Sequence, residues 1–181
     1  MEYIKIGFSK SKKPLPIGSW IIRAYQRTSY SHVYIEVPTS KFPSNHILHA
    51  SEGIVHKMSK TQFHKKHEIT EEYVIQIPEM ILFNKHQNKS TTLYQLILDE
   101  MHEISGADYG IMQNIGIALV DLLRLFNIKI KNPWTSGWNC SEFVGFVLKN
   151  IFPEAFKNKN LDIITPKDIN NILKSLTNLY K

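Results

Sequence analysis

Cys140 is the residue around which chemistry could be built, because it is the single cysteine of the 181-residue chain. Gly137 precedes it and apolar residues follow it at helical spacing, so we predict a helix whose buried face is Cys140, Val144, Val147 and Ile151. Unpaired backbone N–H groups and the positive end of the helix dipole favour a thiolate in the first turn. We therefore predict that the pKa of the Cys140 thiol is lowered and its reactivity raised. A small buried apolar side chain is the alternative interpretation of a lone cysteine.

A thiolate nucleophile needs a base within hydrogen-bonding reach and a third polar group that fixes the tautomer of that base. Among the eight histidines, His32 lies early in the clearest predicted strand, 30–37, and His49 lies in the next strand, 46–51. We expect the cysteine helix to begin near His32, and His49 to hydrogen-bond the far nitrogen of His32. Hydrogen bonds to strand neighbours alone are the alternative for both rings. The histidines of polar stretches are expected to be solvated, namely His64, His67, His86 and His102.

A metal site is a competing interpretation of the histidines on the predicted strands. Zinc could be bound by His46, His49 and His56, which lie on two neighbouring strands. The chain has no His-Glu-x-x-His segment and no pair of cysteines, which are the usual sequence signs of a zinc site. We therefore predict no metal and no other cofactor.

The composition is typical of one ordinary globular domain. The chain is 43% hydrophobic and 21% charged, and its length suits a single domain over residues 1–181. One cysteine excludes an intrachain disulfide. The net charge of +6 would suit an anionic partner, but the lysines are scattered and no nucleic-acid-binding motif is present. We therefore expect a solvated basic surface and no nucleic-acid partner.

The start of the chain and its most apolar run bear on localisation. The first five residues have neither the basic start nor the long apolar stretch of a signal peptide. The run 115–126 is interrupted by Asp121 and Arg124 and is too short to span a bilayer. We expect a cytoplasmic protein, or one delivered without a cleaved signal peptide, as a viral protein would be. Peripheral contact with a membrane and the oligomeric state are left open.

Strand patterns dominate the first half of the chain and helix patterns the second half. Apolar alternation predicts strands over 2–8, 30–37, 46–51, 54–58 and 72–77. Helical spacing and caps predict helices that begin near 19, 92, 111, 140 and 166, the last with Thr165 as its N-cap. One helical turn is expected within 59–68. This order predicts an α+β domain in which an antiparallel sheet packs against helices that include the cysteine helix.

Three parts of the chain, taken in order, resemble a known family. They are 31–35 (SHVYI), then 47–51 (ILHAS) with 53–55 (GIV), and finally 139–144 (NCSEFV). They are similar to the permuted branch of the NlpC-type papain-like superfamily, which includes YiiX-like proteins and lecithin:retinol acyltransferase-like enzymes. Members of that branch carry the histidine strand before the cysteine helix, as this chain does. The similarity covers roughly residues 15–176 and includes the segments 17–22, 108–110 and 165–168.

The resemblance implies a circularly permuted papain-like (NlpC-type) fold with a catalytic set of Cys-His-His type. By this resemblance Cys140 is the nucleophile, His32 is the general base and then the general acid, and His49 is the third polar residue, which orients His32. Glutamate takes the third position in other members of the branch, so Glu52 is the alternative to His49.

The activity that the resemblance implies is hydrolysis of an amide or peptide bond, such as that of a cell-wall peptide, through a thioester acyl-enzyme. A lipid acyltransferase or thiol (phospho)lipase is the second interpretation, which the apolar run 111–126 and the basic surface would suit. The substrate is accordingly expected to be a peptide, an amide or a lipid acyl chain. The third interpretation is a catalytically inert binding or structural module, in which the Cys140 thiol has an ordinary or raised pKa and is covered by Trp134 or Trp138.

Overall fold

The antiparallel pairing of strands organises the part of the chain that the structure describes. The structure is a computed structural model and describes residues 2–12, 17–37, 46–51, 54–77, 81–84, 89–92, 95 and 139–179. The strands are β1 (Glu2–Ser11), β2 (His32–Val37), β3 (His46–Ser51), β4 (Ile54–Ser59), β5 (His67–Ile77), β6 (Ile81–Asn84) and β7 (Lys89–Thr92). The α-helices are α1 (Ile17–Gln26), α2 (Lys60–Lys66), α3 (Cys140–Ile151), α4 (Pro153–Phe156) and α5 (Pro166–Leu179), and a 3₁₀ helix covers Leu161–Ile163.

The main sheet has five strands in the order β4-β3-β2-β1-β5. All of its neighbouring strands are antiparallel, and β3 pairs with β4 with His49 opposite His56. The strands β6 and β7 pair with each other in a separate sheet of two strands. The predicted α+β class with an antiparallel sheet is therefore confirmed. In the described part of the chain, every helix is too short or too polar to cross a bilayer.

The strands β1 and β5 are longer than the sequence pattern indicated. They pair from Glu2 opposite Ile77 to Ser11 opposite His67, with a shift of register between Phe8 and Ser9. Such a shift interrupts the alternation of apolar residues, which explains why the pattern of β1 ended at Phe8. The first half of β5 is polar and partly exposed, so its backbone pairing left no apolar signal in the sequence.

Local caps decide where the predicted helices begin. The helical turn expected within 59–68 is α2, which Ser59 caps by accepting the N–H of Gln62. The Oγ1 atom of Thr92 accepts the N–H of Gln95 at 3.1 Å, as the cap of the helix predicted near 92 would, although Thr92 itself ends β7. The remainder of that predicted helix, the segment 108–110 and the predicted helix 111–126 lie outside the described residues.

The two faces of the main sheet are covered by different helices. One face packs on α3 and α5 and forms the larger core, to which β1, β2 and β3 contribute Ile4, Ile6, Phe8, Val33, Ile35, Leu48 and Ala50. On the other face, α2 inserts Phe63 against Tyr34 and Ile47, and all three are fully buried. The ring of His32 lies on this second face, with its centroid 6.2 Å from that of Phe63. The alternation of β2 therefore places Val33 and Ile35 on the face opposite to His32.

The helix α5 is tied to the sheet through its first turns. As predicted, Thr165 caps it: its Oγ1 accepts the N–H of Asp168 at 3.2 Å, and Asp168 Oδ2 accepts the N–H of Thr165 at 3.0 Å. Asn170 is 1% exposed, accepts the hydroxyl of Tyr73 at 2.6 Å and donates to the hydroxyl oxygen of Tyr30 at 2.6 Å. These hydrogen bonds fix the start of α5 against β5 and the residues before β2.

Gly7 in β1 makes room for the ring of Tyr34. A Cβ atom at Gly7 would overlap that ring, which is fully buried and cannot move aside. We expect Gly7→Ala to lower the free energy of unfolding by about 3 kcal/mol, because overpacking a rigid core has costs of that order. The measurement is equilibrium unfolding in urea.

The matched control for this prediction is Gly145→Ala in α3. A Cβ atom there would lie 3.1 Å from Leu161 Cδ2, the end of a flexible side chain. The replacement also improves helix propensity by up to about 1 kcal/mol, so we expect little net change. If both variants lost the same free energy of unfolding, overlap with the Tyr34 ring would not be the cause of the loss in Gly7→Ala.

Candidate active site

Cys140 is the first residue of α3 because Asn139 caps the helix. The Oδ1 atom of Asn139 accepts the N–H of Glu142 at 2.8 Å, and Glu142 Oε2 accepts the N–H of Asn139 at 3.4 Å. This reciprocal pair is a capping box, and it fixes the entry of the chain into the helix. The predicted buried face is confirmed, since Cys140, Val144, Val147 and Ile151 are all buried.

The Cys140 sulfur lies against the main chain of β2. The backbone N–H groups of Val33, Ser141 and Cys140 itself favour the thiolate form of this sulfur, and Cys140 and Val33 pack in the same core. The pairing of β2 with β3 begins at Ile35 opposite Leu48 and ends at Val37 opposite His46. Val33 precedes this paired stretch by two residues. The first residue of α3 thus contacts the main chain at the residue that directly follows His32.

His32 and His49 form a buried pair. The Nε2 atom of His32 lies 3.1 Å from Nδ1 of His49, which is the hydrogen bond that the sequence predicted between the two rings. The rings are nearly perpendicular, at 88°, and their centroids are 5.1 Å apart. Because this bond uses Nε2 of His32, a thiol proton would have to go to Nδ1 of that ring.

The structure brings the predicted site residues together in two different ways. His32 and His49 are joined directly, whereas Cys140 reaches the main chain beside His32. Among the hydrogen bonds of the described residues, none joins the sulfur to the His32 ring. The cause is the strand alternation, which places the ring on the face covered by α2 while α3 packs on the other face. Both side chains are buried, with 4% of Cys140 and 8% of His32 exposed.

Burial raises the pKa of the Cys140 thiol to about 11, so the predicted lowering is wrong. The backbone N–H groups of Val33, Ser141 and Cys140 lower this pKa but do not outweigh burial. A helix dipole contributes about 1 kcal/mol, which is less than one pKa unit, whereas full burial shifts a pKa by about 3–5 units. The thiol is therefore neutral at pH 7.

Burial lowers the pKa of His32 well below its usual value, and the neighbouring His49 and His67 lower it further. Positive charge on any of these rings disfavours protonation of the others. At neutral pH the site therefore holds a neutral thiol and a neutral imidazole instead of a thiolate–imidazolium ion pair. An imidazole in this state can accept a proton, which is what a general base requires.

Acidification is expected to destabilise the protein through His32. Because its pKa in the folded state is lowered from 6.5, the unfolded chain binds a proton below that pH that the folded chain does not. The contribution of His32 to the free energy of unfolding is thus present above pH 6.5 and is lost as the pH falls through the folded-state pKa. The melting temperature should fall from about pH 7.5 to about pH 4.5, and less steeply in His32→Gln. Parallel profiles for the two proteins would contradict this.

Two residues that the sequence did not single out complete the surroundings of the histidine pair. The ring of Phe63 stacks on His67 with centroids 4.3 Å apart and lies 5.0 Å from His49. The ring of His67 lies 5.2 Å from that of His32 and is only partly exposed, so the expectation that it is solvated is wrong. His64, by contrast, is exposed as predicted. His67 is the first residue of β5. The polar first half of this strand gave no strand pattern, so the sequence did not indicate that His67 lies beside His32.

Several predicted participants lie outside the described residues. They include Glu52, the alternative to His49, and the cysteine's predicted neighbours Gly137, Trp134 and Trp138, as well as His86 and His102. His46 and His56 lie on β3 and β4. Within the described segments, no group of three or more His, Cys, Asp or Glu side chains is arranged to hold a metal ion.

The arrangement has the parts that acyl transfer needs, held by elements that the structure describes. A cysteine begins a capped helix, its sulfur contacts the strand that carries His32, and His32 is hydrogen-bonded to His49. Whether the chain belongs to the permuted NlpC-type superfamily stays a prediction from three short segments. Comparisons with family models, curated proteins and solved structures find no match for this chain.

Proposed function

We propose that this protein is a thiol hydrolase that cleaves an amide or peptide bond through an acyl-enzyme on Cys140. The observation that carries the proposal is that Cys140, at the start of α3, packs in the same core as Val33, the residue directly after His32, whose Nε2 is 3.1 Å from His49 Nδ1. A nucleophile, a base and a group that fixes the tautomer of the base are the parts that covalent acyl transfer requires. The permuted papain-like fold, and the roles of Cys140, His32 and His49 within it, are part of this proposal.

In the first half of the reaction, the Cys140 sulfur attacks the carbonyl carbon of the substrate while Nδ1 of His32 takes the thiol proton. The His32 ring and α3 lie on opposite faces of the sheet, so the proposed step requires the start of β2 to rearrange when substrate binds until Nδ1 reaches the sulfur. The backbone N–H of Cys140 is the natural donor to the oxyanion, and one such donor is worth about 3 kcal/mol in other enzymes. His32 then gives its proton to the leaving amine, and a thioester remains on Cys140.

In the second half, a water molecule loses a proton to His32 and attacks the thioester carbonyl. The carboxylic acid product leaves, and the sulfur recovers its proton from His32. His49 holds His32 in the tautomer that accepts a proton at Nδ1, and it does not itself exchange protons with the substrate. Because the thiol starts neutral, with a pKa raised to about 11 by burial, His32 must act during the attack and not before it.

The test is to trap the acyl-enzyme with p-nitrophenyl acetate, an activated ester that needs no specific binding pocket. We expect release of nitrophenolate and one acetyl group on the peptide that contains Cys140, identified by mass spectrometry and removed by hydroxylamine. No acetyl group should be found on Cys140→Ala. Release of nitrophenolate without acylation of Cys140 would refute the mechanism.

The burial of Cys140 favours a second candidate, a binding or structural module without turnover. A thiol that is 4% exposed and has a pKa of about 11 resembles an inert core cysteine. This candidate predicts no acylation of Cys140 in the folded protein and normal acylation after unfolding in urea. The same experiment with p-nitrophenyl acetate therefore separates the two candidates.

Transfer or hydrolysis of a lipid acyl chain would use the same acyl-enzyme. The run 111–126, which favoured a lipid substrate, lies outside the described residues. Offering short peptides and phosphatidylcholine vesicles in parallel distinguishes the substrate classes, because the acyl group trapped on Cys140 has a different mass in each case.

A further inference from the structure

A cavity of about 810 Å³ lies between the end of α1 and the chain from 158 to 171. Gln26 and Arg27 form one side, and the residues before and at the start of α5 form the other, among them Lys159, Asn160 and Lys167. The cavity is a half-open cleft, and its volume lies within the range of sites that bind small molecules. The cavity is separate from the histidine pair, which lies on the face of the sheet covered by α2.

The charged side chains of the cavity are predominantly positive. Arg27, Lys159 and Lys167 line it, and none of them forms an ion pair with any residue in the described ranges. Asp168 is the one acidic lining residue that the structure describes. Its Oδ2 atom accepts both the N–H of Thr165 at 3.0 Å and the hydroxyl of Thr165 at 2.6 Å, so its carboxylate serves the cap of α5. Among the residues that the structure describes, no carboxylate pairs with these three cations, which are available to an external anion.

The neutral polar groups of the cavity also favour a ligand that carries hydrogen-bond acceptors. The Oε1 atom of Gln26 accepts the N–H of Lys167 at 3.3 Å, and Oδ1 of Asn160 accepts the N–H of Asp162 at 3.0 Å. Because both amide oxygens are engaged by the protein, the two NH₂ groups remain to donate. Gln26 is only 8% exposed, so its amide is held in place by packing.

The backbone of Arg27 is held in an unusual conformation at this cavity. Its φ of 52° makes it the one non-glycine residue with positive φ among those that the structure describes. An arginine rarely adopts this left-handed region, so the turn after α1 must fix it there. The turn is closed by hydrogen bonds from Arg27 N–H to Ala24 O and from Thr28 N–H to Arg23 O.

We propose that this cavity binds a small molecule through a phosphate or carboxylate group. Arg27, Lys159 and Lys167 supply the charge, and the amides of Gln26 and Asn160 supply neutral hydrogen bonds. A guanidinium can bind either group with two parallel hydrogen bonds, and the positive end of α5 adds a favourable field. The site goes beyond the proposed acyl transfer and does not depend on the chemistry of Cys140.

The experiment is isothermal titration calorimetry of the full chain with pyrophosphate and with citrate at low ionic strength. We expect saturable binding of at least one of the two ions, and the tighter one identifies the preferred group. Binding should weaken by about tenfold or more in a triple variant that removes the cationic hydrogen-bond donors. That variant is Arg27→Gln, Lys159→Gln and Lys167→Gln, which all lie at exposed positions.

A second triple variant has the same change of net charge outside the cavity. It combines Lys10→Gln, Lys157→Gln and Lys174→Gln, whose lysines are paired with Glu68, Glu154 and Glu71. This variant should bind both ions within about twofold of the wild type at matched ionic strength. Equal weakening in the two triple variants, or no saturable binding by the wild type, would overturn the site. Cys140→Ala should bind the ions normally, so a failure of the catalytic proposal is distinguishable from a failure of this one.

Discussion

Cys140→Ala is expected to lower the rate of acyl transfer by roughly 10⁴-fold or more, because loss of a nucleophile removes the covalent route altogether. The fold should survive, since alanine keeps the Cβ atom in the core and removes only the sulfur. The rate is measured as turnover of the substrate class identified by trapping, and folding is checked by circular dichroism and thermal unfolding. Wild-type turnover in a folded Cys140→Ala protein would contradict the proposed function.

The adjacent Ser141 provides the control for this prediction. Its buried hydroxyl lies 2.7 Å from Ile164 O and 2.9 Å from Asn139 Oδ1, and these two acceptors share its one proton. Ser141→Ala therefore perturbs the same turn of α3 without removing a reactive group. We expect it to cost about 1–2 kcal/mol of stability and to leave turnover close to that of the wild type. An equal loss of turnover in Ser141→Ala and Cys140→Ala would mean that the effect of the latter is structural.

His32→Ala is expected to lower kcat/KM by roughly 10²- to 10⁴-fold at neutral pH, the range that a general base contributes. The thiol has a pKa of about 11, so only a small fraction is ionised at neutral pH and a base is needed for attack. His49→Ala should cause a smaller loss, because His49 acts on His32 and not on the substrate. Steady-state kinetics of the three proteins at one pH gives this order directly.

His64→Ala is the matched histidine control, since His64 is exposed on α2, the helix that covers the histidine pair. Its kcat/KM should equal that of the wild type. Deficits of the same size in His64→Ala and His32→Ala would assign the effect to disturbance of α2 and not to loss of a base.

The elements around the site could be predicted because their signals are local. The apolar spacing after Cys140 lies within one helix, and Gly137 shortly before it predicted where α3 begins. The alternation in β2 likewise separates Val33 and Ile35 from His32 without reference to the rest of the fold. The hydrogen bond between His32 and His49 followed from placing two neighbouring strands side by side.

The properties that could not be predicted depend on packing between distant segments. The pKa of the Cys140 thiol is set by how tightly α3 packs on the sheet, and a rule based on the helix terminus alone gave the wrong sign. The inclusion of His67 in the histidine cluster depends on the full length of β5, which its polar first half did not reveal. The cavity at Arg27 joins residues more than a hundred positions apart, so no local pattern indicates it.

The cooperation of thiol and imidazole is tested most directly by the pH dependence of Cys140 acylation in the wild type and in His32→Ala. With p-nitrophenyl acetate and detection by mass spectrometry, the wild type should be acylated about 10²-fold faster or more at pH 7. The ratio of the two rates should shrink as the pH rises towards about 11, the pKa of the thiol, because hydroxide then removes the proton that His32 would have taken. A ratio near one at pH 7, or a ratio that stays constant as the pH rises, would contradict the account.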